Sequence, residues 1–153
     1  VLGARDYFFS SKWLGWLVSK LLNVVPIERH ENSLASLKLV KGILRAGEPV
    51  LIYPEGGRSR NGEVQGFKAG LGLIAWELQV PVVPIAISGT YKALPVGKSW
   101  PIRHPIKVAF GEPVPMQRYQ HQPGSLSREE LYRLIARDVQ SAVRDLRIAS
   151  PDG

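Results

Sequence analysis

Cysteine is absent from the 153 residues. That excludes a disulfide framework, a cysteine-containing zinc site and a thiol nucleophile, and it is compatible with a reducing cytoplasm. No G-x-x-x-x-G-K-[S/T] phosphate loop occurs, no internal repeat is visible, and no segment is of low complexity beyond the short SPDG at the C-terminus. No apolar run reaches the roughly 20 residues needed to cross a bilayer as a helix. The three histidines, His30, His104 and His121, have no ligand-like spacing to one another, so no metal site is expected. Acidic residues are scarce: 13 Asp plus Glu stand against 20 Lys plus Arg, a net charge of +7 that calls for an anionic partner. The basic residues spread from Arg5 to Arg147 with few aromatics between them, so nucleic acid is not the expected partner.

The hydrophobic content of 44% suits one globular domain with a real core. The chain begins at Val1 and carries no signal-peptide pattern, from which a piece of a longer protein is expected. SSKWLGWLVSKLLN sets Trp13, Leu14, Leu17, Val18 and Leu21 at helical spacing, and Trp16 and Leu22 widen the stripe. Such a wide stripe belongs to a buried helix or, with Lys12 and Lys20 flanking the tryptophans, to one lying in a membrane interface. NVVPIE reads as a short strand. Asn32 or Ser33 caps a helix from Leu34 to about Ala46, with Leu34, Leu37, Lys41 and Leu44 on one side and Gly47 as its stop. PVLIY is an apolar strand suited to burial on both faces. FKAGLGLIAWELQ follows as a helix, VPVVPIAISG as a buried strand from near Val82, and IKVAFG as another. Ser127 and Glu130 form a capping-box pattern ahead of an amphipathic helix carrying Leu131, Leu134, Ile135, Val139, Val143 and Leu146. Strands alternating with helices predict an α/β fold of three layers, α-β-α, around a mainly parallel central sheet.

Ligands of such folds sit beyond the carboxyl ends of the strands, which is where YPEGGRSRNG, Tyr53 to Gly62, falls. Gly56 and Gly57 let the backbone approach a ligand and offer N–H groups, while Arg58 and Arg60 can grip phosphate oxygens in a planar, bidentate way. Lys68 adds a point charge from the start of the next helix. The plainer alternative is a solvated turn whose glycines serve geometry alone. Against it stands Glu55, a carboxylate at the end of a buried strand that needs either an arginine or a ligand hydroxyl. Sharper motifs fail on the same residues. GLGLIA has the letters of a dinucleotide fingerprint but not the preceding tight turn, so no nucleotide cofactor is expected. GRSRN has Asn61 where a G-x-S-x-G nucleophile elbow needs glycine.

YPEGGRSRNG resembles the F-P-E-G-T-R-S motif of the glycerophospholipid acyltransferases, the 1-acylglycerol-3-phosphate acyltransferases and their relatives. VPVVPIAISGT is similar to that family's next block, V-P-x-x-P-V-x-I-x-G-T. VVPIERH is similar to its earlier block, an apolar strand ending in an acid and an arginine, here Glu28 and Arg29. The likeness covers roughly residues 20–115. It implies transfer of a fatty acyl group from acyl-CoA or acyl carrier protein, with no further cofactor and no metal, to the hydroxyl of lysophosphatidate or glycerol phosphate. The setting it implies is the cytoplasmic face of a membrane, with the protein peripheral or anchored through other segments. By the same resemblance Arg29, Glu55, Gly56, Gly57, Arg58 and Ser59 bind the acceptor, joined by Lys68 from the loop chemistry. Residues 1–120 are then the acyltransferase domain, 121–148 a connector and amphipathic helix on the same domain, and 149–153 a tail.

Two departures stand out. The family's threonine is Gly57 here, which removes a hydroxyl and loosens the loop. The family's base and orienting acid, His-x-x-x-x-Asp, is missing: the residue five positions after each histidine is Ala35, Ala109 or Leu126. In the family that pair precedes the block holding Arg29, so the expectation is a domain lacking its N-terminal part, with no catalytic residue in this chain and no transfer by the chain alone. The alternative is a degenerate homologue that binds phospholipid head groups or another anion without chemistry.

Overall fold

A computed structural model describes residues 2–4, 25–27, 33–98, 100–120 and 126–149. The chain divides into two compact units, Val1–Tyr53 and Pro54–Gly153. The tryptophan-rich segment around Trp13 and Trp16 lies outside the described residues, as do Arg29 and the connector from His121 to Ser125.

In the first unit β1 (Leu2–Ala4) pairs in parallel with β2 (Val25–Ile27), setting Leu2 opposite Val25 and Ala4 opposite Ile27. Expected from NVVPIE, β2 is present; β1 has too short a run to announce itself. Helix α1 runs Ser33–Arg45, within a residue of the expected bounds. Its buried stripe centres on Val40, which is fully buried, with Leu37, Ile43 and Leu44 half-buried, whereas Lys41 faces solvent. The stripe is therefore rotated by about one residue from the expected side, because an apolar Val40 outcompetes a lysine for the interior. Gly47 ends the helix as expected. At φ +80 it donates its N–H to Leu44 O while the Glu48 N–H reaches Ile43 O, the paired bonds of a Schellman stop. PVLIY, by contrast, carries no strand ladder in the structure. Apolar β-branched residues make a segment fit for a sheet, but only a paired neighbour makes it a strand.

The second unit contains α2 (Gly70–Leu78), β3 (Ile85–Ser88), the single turn α3 (Thr90–Ala93), β4 (Lys107–Phe110), a 3-10 turn at Met116–Tyr119 and α4 (Arg128–Ala149). Helix α2 starts three residues later than expected, leaving Lys68 ahead of its cap residue, Ala69. Strand β3 begins at Ile85 and not at Val82 because Pro81 and Pro84 have no N–H for a ladder. Val82 still exchanges backbone bonds with Val114, at 3.1 and 2.8 Å. Strands β3 and β4 are antiparallel, with Ile85 opposite Phe110 and Ser88 opposite Lys107. The segment joining them holds only the one-turn α3, not a crossover helix, so the chain returns antiparallel where a parallel neighbour was expected.

Helix α4 packs on α2, β3 and β4. Ile135, Ala136, Val139 and Val143 form its buried stripe, with Leu71 and Ala75 of α2, Ala86 of β3, and Val114, Met116 and Tyr119 completing the core. Fully burying a side chain of the size of Ile135 contributes about 1.5–3 kcal/mol. Gly72 permits the close approach of α2 to α4: a Cβ there would strike the Tyr132 carbonyl. The capping box is present as expected. The Ser127 N–H donates to Glu130 Oε2 at 2.8 Å, the Glu130 N–H donates to Ser127 Oγ at 3.3 Å, and the hydroxyl donates to Glu130 Oε2 at 2.7 Å. The Ser127 side-chain and backbone bonds lower the Glu130 pKa, so the stabilisation is present above the ordinary carboxylate range and is lost as pH falls through the lowered value. Burial, and then the 2.9 Å bond that the Tyr119 hydroxyl donates to Asp138, raise the Tyr119 pKa. That contribution is complete below the ordinary tyrosine range and is lost as pH rises through the raised value.

Candidate anion-binding loop

Pro54 to Lys68 form a closed loop, because the Lys68 N–H donates to Pro54 O at 3.0 Å and joins its two ends. Inside it Asn61 organises the turn. Its Oδ1 accepts from the Glu63 N–H at 3.1 Å and from Gln65 Nε2 at 2.9 Å. Ser59 Oγ lies 3.1 Å from the same oxygen and 2.7 Å from Glu63 O, and since a hydroxyl has one hydrogen, the shorter contact is the better placed to receive it. Asn61, which spoils the nucleophile elbow, is thus a loop-forming residue, and the Ser59 hydroxyl is turned into the loop's own hydrogen bonding.

Among the described residues the hydrogen-bond partner of Glu55 is the backbone N–H of Gln65, which donates to Oε2 at 2.8 Å. Gly56 stands at φ +73, and an added Cβ would come 2.7 Å from Cε and 2.8 Å from Nζ of Lys68. The lysine side chain therefore lies across the bare glycine, bringing its ammonium beside the Glu55–Gly56 backbone. Gly57 has open space where a Cβ would stand, and Arg58 and Arg60 are exposed on the same loop. Of the expected acceptor-binding residues, Glu55, Gly56, Gly57, Arg58, Ser59 and Lys68 thus share one closed loop. Arg29 lies outside the described residues. Among the described residues no group of three His, Asp or Glu could hold a metal ion.

Two residues that motif reading did not find clamp this loop from α4. Gln140 Nε2 donates to Gln65 O at 2.7 Å, and Arg144 Nη2 reaches Val64 O at 3.4 Å. Gln65 is the hinge of a relay: its N–H holds Glu55 and its carbonyl is held by Gln140. The only signal for Gln140 is a polar residue bordering the apolar stripe of α4, which any solvated position would also show. Replacing Gln140 by alanine is expected to speed amide exchange at Gln65 roughly three- to tenfold, the effect of losing one neutral hydrogen bond, while exchange in the α2–α4 core stays unchanged. Unchanged exchange at Gln65 would show that the clamp is idle.

An acyltransferase family model matches residues 1–88. A chloroplastic 1-acyl-sn-glycerol-3-phosphate acyltransferase of Brassica napus is 35% identical over 104 residues, covering 66% of this chain and 30% of that protein. The 1-acyl-sn-glycerol-3-phosphate acyltransferase of Bacillus subtilis is 30% identical over 128 residues, covering 84% of this chain and 59% of that protein. The crystal structure of the 1-acyl-sn-glycerophosphate acyltransferase PlsC from Thermotoga maritima matches with a TM-score of 0.67 at 27% identity, over 95% of this chain and 56% of that one. This chain therefore spans from under a third to somewhat over half of these relatives.

Proposed function

The chain belongs to the acyltransferase family, and from that premise we propose that the whole protein transfers a fatty acyl group to the free hydroxyl of 1-acylglycerol-3-phosphate, with glycerol phosphate as the smaller acceptor of the same class. The observation that carries the reading is the closed loop from Pro54 to Lys68, which carries Gly56, Gly57, Arg58 and Arg60 and lays the Lys68 ammonium against Gly56. A phosphate monoester fits such a surface through charge-assisted bonds.

The donor is a thioester of coenzyme A or of acyl carrier protein. Its carbonyl carbon takes the acceptor oxygen, the carbon–sulfur bond breaks, the acceptor's proton passes to a general base and the thiolate leaves. The scheme passes through no covalent acyl-enzyme and requires no metal. In the resemblance drawn above, the base is a histidine oriented by an aspartate. Glu55, held by the Gln65 N–H, orients the acceptor's glycerol, and Lys68, Arg58 and Arg29 hold its phosphate. For the whole protein the fold class proposed is a three-layer α/β fold with a mainly parallel central sheet, working at the cytoplasmic face of a membrane, where lysophosphatidate resides. No described helix is long and apolar enough to cross that membrane.

The test is thiol release by the whole protein from an acyl thioester, with lysophosphatidate and with monoacylglycerol as acceptors. We expect release with the phosphorylated acceptor at least about tenfold above the unphosphorylated one, the worth of roughly one charge-assisted hydrogen bond. Equal rates would remove the loop from acceptor recognition. Saturable binding of lysophosphatidate without thiol release would instead identify a head-group binding module.

A further inference from the structure

Between Glu77 and Glu112 the sequence contains no acidic residue, while Lys92, Lys98, Arg103 and Lys107 all fall there. The most exposed aromatic residue of the described chain, Trp100, lies in the same stretch at 85% exposure, beside Ile102 at 64% and near Val96 at 49%. These residues belong to the connection between α3 and β4, which is a built loop. The Ile102 N–H donates to Ala93 O at 2.8 Å across its neck, and the Lys98 N–H donates to Pro95 O at 3.1 Å around a turn that carries Gly97 at φ +90. At its base Gly89, at φ +86, abuts the Pro105 carbonyl so closely that a Cβ would collide with it. A folded neck with large apolar side chains held out in water is costly unless something covers them. Their composition says what: one interfacial aromatic, two aliphatics and a surround of a single positive sign.

We propose that the loop from Val96 to Ile106 docks the protein on an anionic lipid bilayer, with Trp100 and Ile102 entering the interface and Lys98 and Arg103 pairing with lipid head groups. The identity of the partner rests on the function proposed above, since the acceptor resides in a bilayer. Position strengthens it. The ring of Tyr91, in α3 at the foot of this loop, packs over Gly62, the last residue of the YPEGGRSRNG stretch, so that a Cβ at Gly62 would lie 3.3 Å from Tyr91 Cδ1. Docking therefore brings the anion-binding loop to the surface that holds its acceptor. Because the neck is preformed, little ordering is needed on contact.

The chain has no cysteine of its own, so Trp100→Cys gives a single attachment point for an environment-sensitive fluorophore in the 153-residue chain. With vesicles of phosphatidylcholine and phosphatidylglycerol the label is expected to shift to shorter wavelength. With phosphatidylcholine alone the shift is much weaker. In sedimentation, Lys98→Gln with Arg103→Gln is expected to lower the vesicle partition coefficient by on the order of thirtyfold, the equivalent of two basic residues at the surface. Because all of these side chains are exposed, melting curves should match the unsubstituted chain. A label that stays water-like on vesicles to which the chain binds would assign docking to another segment and overturn the proposal. So would an equal shift on neutral vesicles, a concentration-dependent shift without lipid, or a shift with an oligonucleotide and none with vesicles. Transfer to a short-chain, water-soluble lysophosphatidate by the whole protein separates the two ideas: docking can fail while that activity persists, and the activity can be absent while the loop docks.

Discussion

Replacing Gly72 by alanine is expected to destabilise the second unit by about 1–3 kcal/mol, the usual cost of overpacking, and to lower its melting temperature by on the order of 10 °C. The added methyl group would meet the carbonyl oxygen of Tyr132 and come 2.7 Å from both its C and Cα, which are backbone atoms of α4 and cannot swing aside as a side-chain tip can. Alanine's better helix propensity, worth about 1 kcal/mol, offsets only part of the clash. Gly70 provides the internal control. It opens the same helix, is exposed and has nothing within 4 Å of where its Cβ would stand, so Gly70→Ala should be neutral or slightly stabilising. Thermal and urea unfolding of both variants distinguish contact from propensity. If Gly72→Ala were as stable as the unsubstituted chain, the α2–α4 contact would be looser than described.

This pair of glycines also shows where sequence reading stops. Both sit in GLGLIA, both lower helix propensity, and nothing local separates them; the difference lies in Tyr132, far along the chain. Features whose cause is local were legible. Ser127 with Glu130 announced the cap of α4, Gly47 announced the end of α1, and the apolar spacing from Leu131 to Leu146 announced the buried stripe. Features whose cause is a distant partner were not. IKVAFG was legible as a strand, yet its antiparallel pairing with β3 depends on α3 being only one turn long. PVLIY was legible as apolar and β-branched, and its lack of a ladder depends on what lies beside it.

The candidate site divides in the same way. Much of its chemistry was written in one stretch, since Glu55, Gly56, Gly57, Arg58 and Ser59 are consecutive, and those letters form one of the three blocks on which the likeness to acyltransferases rested. Its construction was not. Glu55 needed a partner, and that partner is a backbone N–H at Gln65, a type of donor that every non-proline residue offers. Gln140 reaches the loop from α4 by a hydrogen bond that leaves no pattern in either segment. At Gly56 the expected approach was that of a ligand to the backbone, and what the structure shows is a second use of the same bare glycine: the Lys68 side chain lies where a Cβ would stand.

Lysine in place of Arg58 is expected to reduce kcat/KM for the phosphorylated acceptor by about ten- to a hundredfold in the whole protein while leaving the donor KM nearly unchanged. Lysine keeps the positive charge but loses the planar fork that makes two parallel bonds to phosphate, and a charge-assisted hydrogen bond is worth roughly 1.5–3 kcal/mol. The position suits the test because Arg58 is exposed on the loop that carries the other candidate phosphate-binding residues. The contrary account makes Arg58 a structural residue of the loop, in which case the exchange would lower the melting temperature and impair acceptor and donor alike. Steady-state kinetics for both substrates, alongside a melting curve, separate the two. An acceptor KM and kcat within error of the unsubstituted protein would remove Arg58 from phosphate recognition and leave Lys68, whose ammonium already lies against Gly56, as the cation to replace next.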